Sequence, residues 1–420
     1  MKRAIPFFSL LVSVLLVNAQ MTVRVMQYNI LDFPEPVPAG RADTLARIIA
    51  YHPVDLLIGE ELRTEAGADS VLTRALNTGG VTRFSMAAWE PLHSDPGATY
   101  SLQQIIWYDH DLLGLKEQGY LLTNIRDLNW YTLYLRTPDL AFTNDTTFLT
   151  VFAVHLKAGS ATSDASERDA MAQVLVDHLS TLPPDRHVIV AGDMNFYTGS
   201  EAGFQTLTST GNAIHLQDPI DQVGAWNNNA SYAPIHTQST RTSAIYGAGA
   251  GGGLDDRFDI ALMSAGLLDA NSPLHFTIGS HHPLGNSGTC FNQNVTDCDP
   301  GITPASVLNS LYYMSDHLPA VFELGFDPLL SVEPIAAASG QVLEVVQDGD
   351  HWIAVVQPFN GAVGVLRVLD PLGRVVRTNE VHGAVEQRIP LVDLPGGTYL
   401  LSLSNSTGAR TIKWTALPRP

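Results

Sequence analysis

Cysteine is almost absent, with two among 420 residues, which excludes a disulfide-stapled scaffold and a four-cysteine zinc module. Positive charge is scarce too. Lys and Arg number 23 against 42 Asp and Glu, a formal net charge of −19 with His neutral, so no broad basic face is available to hold nucleic acid. An enzyme that meets phosphate through a metal ion and a few local cations is compatible with that balance. Past the first twenty residues, no apolar run reaches the ~20 residues of a membrane span. Apolar residues still make up 45% of the chain, enough for a packed core and too many for intrinsic disorder. The length corresponds to two or three domains.

Lys2 and Arg3 precede an apolar run from Ile5 to Val17, and Val17-Asn18-Ala19 stands ahead of Gln20. A positive start, an apolar run of that length and small residues before the break describe a signal peptide over residues 1–19. The mature chain is therefore expected outside the cytoplasm, secreted or on the cell surface. Under oxidising conditions Cys290 and Cys298, which share one polar loop, are candidates for a disulfide, with two free thiols as the alternative.

Residues 20–326 alternate short apolar runs with helical patterns. Val23 to Ile30, Val54 to Ile58, Leu102 to Tyr108, Thr147 to Leu156, His187 to Ala191, Phe258 to Met263 and Ala320 to Leu324 read as strands. Ala42 to Tyr51 carries Leu45, Ile48 and Ile49 at helical spacing. Asp164 to Leu179 reads as a helix with Met171, Val174, Leu175 and His178 on one side and Ser163 or Asp164 as N-cap. Such a succession predicts sheets covered by helices, an α/β layered core. Gly247 to Gly253 lacks the strand and helix context of a dinucleotide loop and reads as a flexible surface loop. Asp327-Pro328 and Glu333-Pro334 mark a linker over 327–339. From 340 to 420 short alternating runs separated by turn signals predict a small antiparallel β-sandwich.

Six segments of the large domain place polar residues at strand ends: Tyr28-Asn29-Ile30, Gly59-Glu60-Glu61-Leu62, Val154-His155-Leu156-Lys157, Gly192-Asp193-Met194-Asn195, Asp256-Arg257-Phe258-Asp259 and Ser315-Asp316-His317-Leu318-Pro319. Strand ends hold functional groups rigidly yet accessibly. Together the segments supply carboxylates, amides and two imidazoles, a set suited to a hard oxygen-liking ion and proton transfer. Taken singly each is weak: His155 fits a core histidine, Asp193 and Asn195 fit a turn, and Asp259 fits a buried partner for Arg257 or Arg241. Lys157, Arg168, Arg241 and Arg257 are the local cations that could help if they line the cleft.

In order and spacing, the run from Asn29 through Glu61, His155, Asp193, Asn195 and Asp259 to Asp316-His317 resembles the endonuclease/exonuclease/phosphatase superfamily. The resemblance implies a four-layered α/β sandwich of two facing, mostly antiparallel sheets flanked by helices, with the site at one sheet edge. It implies a metal-dependent hydrolase of phosphate esters using Mg²⁺ or Mn²⁺, with Ca²⁺ as an alternative. Glu61 would be the central metal ligand and Asp316 a second, and Asn29 would bind the metal shell or a phosphate oxygen. His317 would be the general base or a phosphate-contacting imidazole, with Asp259 on its other ring nitrogen. Asp193 would orient or deprotonate the attacking water, Asn195 would donate to a phosphate oxygen, and His155 would stabilise the transition state or protonate the leaving oxygen. Glu60 stands where the family has Gln, which adds negative charge, and no acidic residue ends Ser101 to Gln104 as in the secreted deoxyribonucleases.

The expected substrate is extracellular nucleic acid, met by a monomer. A phospholipid or a phosphomonoester is the alternative, for which Trp226 to Tyr232 and Leu311-Tyr312-Tyr313-Met314 are candidate exposed aromatic loops, and a non-catalytic surface protein is the lesser one. Leu369-Asp370-Pro371-Leu372-Gly373-Arg374 and Leu394-Pro395-Gly396-Gly397-Thr398-Tyr399, followed by Lys413, resemble the C-terminal sorting domains of type IX secretion. That resemblance implies the secretion machinery as a partner.

Overall fold

The computed structural model describes residues 21–326 apart from 36–37, 99–100, 138–139, 141–145 and 300. Of the C-terminal part it describes 342–348, 351–357, 363–370, 374–382, 386–391, 394, 397–405 and 408–416. Residues 1–19 and 327–339, read as signal peptide and linker, lie outside the described residues.

Two sheets form the large unit. One contains β1 (Met21–Phe33), β2 (Leu56–Leu62), β3 (Phe84–Met86), β4 (Gln103–Asp109), β11 (Leu274–Phe276), β12 (His282–Pro283) and β13 (Ala320–Phe326), in the order β11-β13-β1-β2-β4-β3 with β12 also on β13. The other orders β5 (Leu113–Leu121), β6 (Leu128–Leu135), β7 (Phe148–His155), β8 (His187–Asp193), β10 (Asp259–Ser264) and β9 (Leu216–Gln217) side by side. β1 and β2 are parallel, as are β7 and β8, and the remaining pairs are antiparallel.

The period of two along β8 explains the layering. Val188 and Val190 pack with Met171, Leu175 and Leu179 of the helix Thr162–Leu179, whereas Ile189 and Ala191 belong to the first sheet's core with Ile58 and Ile106. A strand buried on both faces reads as a continuous apolar run, and Val188-Ile189-Val190-Ala191 is one. In chain order the helices are α1 (Arg41–Tyr51), α2 (Glu65–Ser70), α3 (Thr162–Leu179), α4 (Ala202–Leu207), α5 (Ala265–Leu268) and α6 (Ala305–Met314). α1 and α6 pack against each other, bringing Leu45, Ile48, Leu308 and Leu311 into the first sheet's core, while α3 and α4 cover the second sheet. The result is helix, sheet, sheet, helix.

α3 starts earlier than the sequence pattern indicated. Its N-cap is Ala161, and Asp164 lies in the first turn, where its carboxylate accepts the Ala161 N–H at 3.1 Å and pairs with Lys157 at 2.9 Å. Cys290 and Cys298 are joined by a disulfide. Among the described residues, no helix is long and apolar enough to cross a membrane.

The C-terminal part contributes two antiparallel sheets. β14 (Val342–Asp348), β15 (His351–Gln357) and β18 (Gln387–Pro390) form one; β17 (Val375–Val381), β16 (Gly364–Leu369), β19 (Gly397–Asn405) and β20 (Gly408–Ala416) form the other. Leu343, Val356, Leu366, Val368, Leu401 and Leu403 make their common core.

Candidate active site

Strand register assembles the site. Asn29 lies beside Glu60 across the parallel β1–β2 pair, His155 beside Asp193 across β7–β8, and Asp259 opposite Asp193 across β8–β10. Asp316 and His317 enter from the turn between α6 and β13. That turn is pinned because Ser315 Oγ donates to Asn29 O at 2.6 Å and accepts the His317 N–H at 3.1 Å.

Two of the polar side chains sit on backbone that most residues avoid. Glu61 has φ 62 where the β2–β4 register shifts, and Asn195 has φ 53. For non-glycine residues such conformations cost about 1–3 kcal/mol and persist only when the surroundings enforce them. At Glu61 the enforcers are the Asn29 Nδ2 and Asp32 N–H donors, each 2.9 Å from a carboxylate oxygen. At Asn195 the backbone N–H reaches Asp193 Oδ1 at 3.2 Å and the side-chain amide donates to Leu156 O at 3.2 Å. Gly192 is required just before Asp193: its φ is 153, and a Cβ there would stand 1.8 Å from Val154 O.

The side chains converge. Asn29 Nδ2 is also 3.1 Å from Asp193 Oδ2 and 3.4 Å from His317 Nε2. His155 Nε2 lies 3.5 Å from Asp193 Oδ2 and 3.9 Å from Glu61 Oε1. Glu61, His155 and Asp193 thus offer three ligand atoms within 4.8 Å of one another. His317 places Nδ1 2.8 Å from Asp259 Oδ2 and Nε2 3.6 Å from Asp193 Oδ2. Asp316 Oδ2 accepts the Ala250 N–H at 2.6 Å and Gln238 Nε2 at 3.2 Å, while its Oδ1 is buried without a partner. Asn29 turns its NH₂ into the centre, because its own oxygen accepts the Leu31 N–H at 3.0 Å.

Crowded acids in a dry site resist ionisation. Burial, then the nearby Asp316 charge, pushes Glu61 up to about 7. Burial pushes Asp193 up to about 6, against the pull of His317. Glu60 is wholly buried and driven well above the carboxylate range. Burial thus works against the extra negative charge expected there, while the Gln27 hydrogen bond favours it. Burial opposes charging His317, but Asp259, Asp193 and Asp316 outweigh it and raise its pKa well above the usual value. His155 has no such compensation: burial, then Arg126, holds it well below the usual value, as a neutral imidazole.

Several sequence expectations change here. Asp259 lies on His317's other ring nitrogen, as the resemblance implied, and not on Arg257 or Arg241, the alternative for that residue taken singly; it also accepts Gln27 Nε2 at 2.9 Å. Gln27 also donates to Glu60 Oε2 at 2.9 Å. Arg257 instead makes a two-pronged bond to Asp218 at 2.8 and 2.9 Å. Of the four local cations, Arg168, Arg241 and Arg257 are buried; Arg168 is held by Glu201 at 2.6 Å and by the carbonyls of Lys157 and Gly159. Lys157 alone among them is partly exposed, and Asp164 holds it. Trp226 is fully buried with its Nε1 donating to Phe196 O at 2.7 Å, and Leu311 to Met314 is the last turn of α6 with Leu311 and Met314 in the core. Tyr313 is exposed, but on a helix, and the exposed residues after Trp226 are Asn227, Asn228, Ala230 and Ser231. The glycine run packs on the site instead of waving free: a Cβ at Gly249, φ 76, would meet Asp316 Cγ and Leu31 Cδ2 at 3.0 Å.

Sequence reasoning missed Gln27, Gln238 and Ser315. Gln27 carried a signal, since it lies two residues before Asn29 on one strand, hence on the same face.

No family model matches the chain, and no curated protein matches it. Solved structures do. An endonuclease/exonuclease/phosphatase from Beutenbergia cavernae is 14% identical, covering 94% of this chain and 100% of its own, with a TM-score of 0.45. TDP2 from D. rerio, solved with a single-strand DNA product, is 16% identical over 72% of this chain and 98% of its own, TM-score 0.45. The human Nocturnin catalytic domain, with a bound sulfate, is 16% identical over 73% and 97%, TM-score 0.43.

Proposed function

We propose that this protein is a secreted, divalent-metal-dependent phosphodiesterase that hydrolyses nucleic acid by attack of water. The observation that carries the reading is the meeting of Glu61, Asp193 and His155 within 4.8 Å, with the Asp259–His317 pair beside them. The donor set suits a hard cation through the carboxylate oxygens of Glu61 and Asp193, with His155 beside them; Asp316 stands outside that group of three and keeps a buried Oδ1 without a partner. Mg²⁺ or Mn²⁺, or Ca²⁺, would neutralise charge developing on the phosphate oxygens.

The chain's own groups account for the rest. Asp259 fixes Nδ1–H of His317, which turns Nε2 toward Asp193. A water between Asp193 and His317 gives its proton to one of that pair as it attacks phosphorus in line. Asn29 Nδ2 and the neutral His155 act as donors to the phosphate oxygens, where charge grows. Asn195 spends one amide hydrogen on Leu156 O and directs the other at substrate.

Secretion rests on the signal-like residues 1–19 and on the type IX-like motifs of the C-terminal sequence, which fall partly outside the described residues, with the secretion machinery as a partner and a monomer as the active form. The test is incubation with plasmid DNA, RNA, an aryl phosphodiester and sphingomyelin vesicles in Mg²⁺ or Mn²⁺. Cleavage of nucleic acid that EDTA and His317→Ala each reduce at least a hundredfold is expected. Inertness toward all four substrates, or activity indifferent to EDTA, would overturn the reading. Cleavage of the vesicles alone would move it to a lipid phosphodiesterase.

A further inference from the structure

The segment His236–Arg241 threads between two parts of the site. Thr237 O accepts the Leu318 N–H at 2.7 Å, and the Thr240 N–H reaches Asp316 O at 2.9 Å. On the other side, Gln238 O accepts the N–H groups of Asp255 and Asp256 at 2.8 and 2.9 Å. His236, Thr237, Ser239, Thr240 and Arg241 are all buried, and Gln238 is the member whose side chain is not. That side chain points at the reacting groups. Its Nε2 stands 2.6 Å from His317 Nε2 and 3.2 Å from Asp316 Oδ2.

His317 is supported at both ring nitrogens. Asp259, on Nδ1, sets the ring's tautomer. At Nε2 the Asn29 Nδ2 stands 3.4 Å away, and a shorter contact of 2.6 Å restricts the ring's tilt further. Gln238 supplies it from a backbone that is fixed on both flanks, and the same amide ties the imidazole to the Asp316 carboxylate. The distance from His317 Nε2 to Asp193 Oδ2, 3.6 Å, is thereby set by three residues from separate parts of the chain.

We propose that Gln238 is a positioning residue of the phosphodiesterase reaction, holding His317 Nε2 in register with Asp193 and Asp316 until substrate arrives. This rests on the functional reading above. An amide is suited to the task because its two hydrogens can reach the Asp316 carboxylate and, whenever His317 is in its neutral form with the proton on Nδ1, the free Nε2 of the ring. Misplacing a catalytic group by an ångström costs about a hundredfold in rate.

The test compares Gln238→Met, which keeps the shape without the amide, and Gln238→Glu, which keeps the shape as an acceptor only. Both should lower kcat on an aryl phosphodiester about tenfold to a hundredfold, with KM and calorimetric Mn²⁺ affinity changed less than about threefold. ¹⁵N spectra of histidine-labelled protein should show the His317 Nε2 resonance moving in Gln238→Met while Nδ1 keeps its proton. Wild-type kcat in Gln238→Met, or an unmoved Nε2 resonance, would overturn the proposal. Should the wild-type protein be inert on every phosphodiester, the reading of function fails, and the Nε2 resonance still decides whether Gln238 holds the ring.

Discussion

Glu61→Gln should stabilise the metal-free protein at alkaline pH, although it removes the proposed central metal ligand. Folding carries the Glu61 carboxyl from an ordinary 4.5 to about 7, because it is buried next to Asp316. Between those values the folded state holds a proton that the unfolded state has released, so stability falls as pH rises through that window. The difference, about 2.5 pH units at ~1.4 kcal/mol each, is on the order of 3 kcal/mol by pH 8. Glutamine resembles the protonated acid and pays no such cost. It does lose one bond, since Asn29 and the Asp32 N–H both donate to the carboxylate; that offset of about 1 kcal/mol is independent of pH. Near pH 5 in EDTA the variant should therefore melt at or slightly below the wild type, and near pH 8 several degrees above it. For a folded unit of roughly 300 residues, the net of about 2 kcal/mol left at pH 8 is about 3 °C. Buried histidines such as His281, held down at about 4 by burial, titrate in both proteins and cancel in the comparison. Adding Mn²⁺ should invert the order, because only the wild type gains the full stabilisation of ligand binding. A melting difference in EDTA that stays flat from pH 5 to 8 would refute the reasoning.

Two further predictions concern the frame that aims the site. Arg257→Ala leaves Asp218 charged and buried, both partners being at most 2% exposed; it should cost about 3–5 kcal/mol in denaturant unfolding, and the double change to Arg257→Met with Asp218→Leu should recover much of it. Equal loss in the single and double variants would show that the pair is not the cause. Gly192→Ala should destabilise on the order of 3 kcal/mol or more, whereas Gly211→Ala, whose Cβ would meet only Ser209 Oγ at 3.6 Å, should leave the denaturation midpoint unchanged.

The legible parts of the fold were those where one physical signal dominated. Strands buried on both faces, such as His187–Asp193, and the long helix Thr162–Leu179 declared themselves by apolar runs and periodicity. β5 did not, because its Lys116 and Glu117 are exposed and its pattern follows no single period. α6 was hidden for the opposite reason: Leu311-Tyr312-Tyr313-Met314 is aromatic enough to suggest a loop, yet Leu308, Leu311 and Met314 at helical spacing are the face that enters the core. The cations were misjudged because sequence shows charge but not burial, and Arg168 and Arg257 spend theirs on Glu201 and Asp218.

At the site the distinction is sharper. The named carboxylates and imidazoles were legible because each lies at or beside one end of a strand, and parallel pairing of β1 with β2 and of β7 with β8 delivers strand ends to one place. What the sequence could not show is the state of those groups. Glu60 looks like an added charge, yet burial pushes its carboxyl well above the usual range. Gln238 looks like any polar loop residue, in a stretch with no periodic or motif signal. Its position depends on backbone bonds to Asp255, Asp256 and, through Thr240, Asp316, none of which is near it in the way a motif is near. Residues that bear the charge of a reaction recur at strand ends and can be read from spacing. Residues that hold those groups still are fixed by the tertiary fold, and only coordinates reveal them.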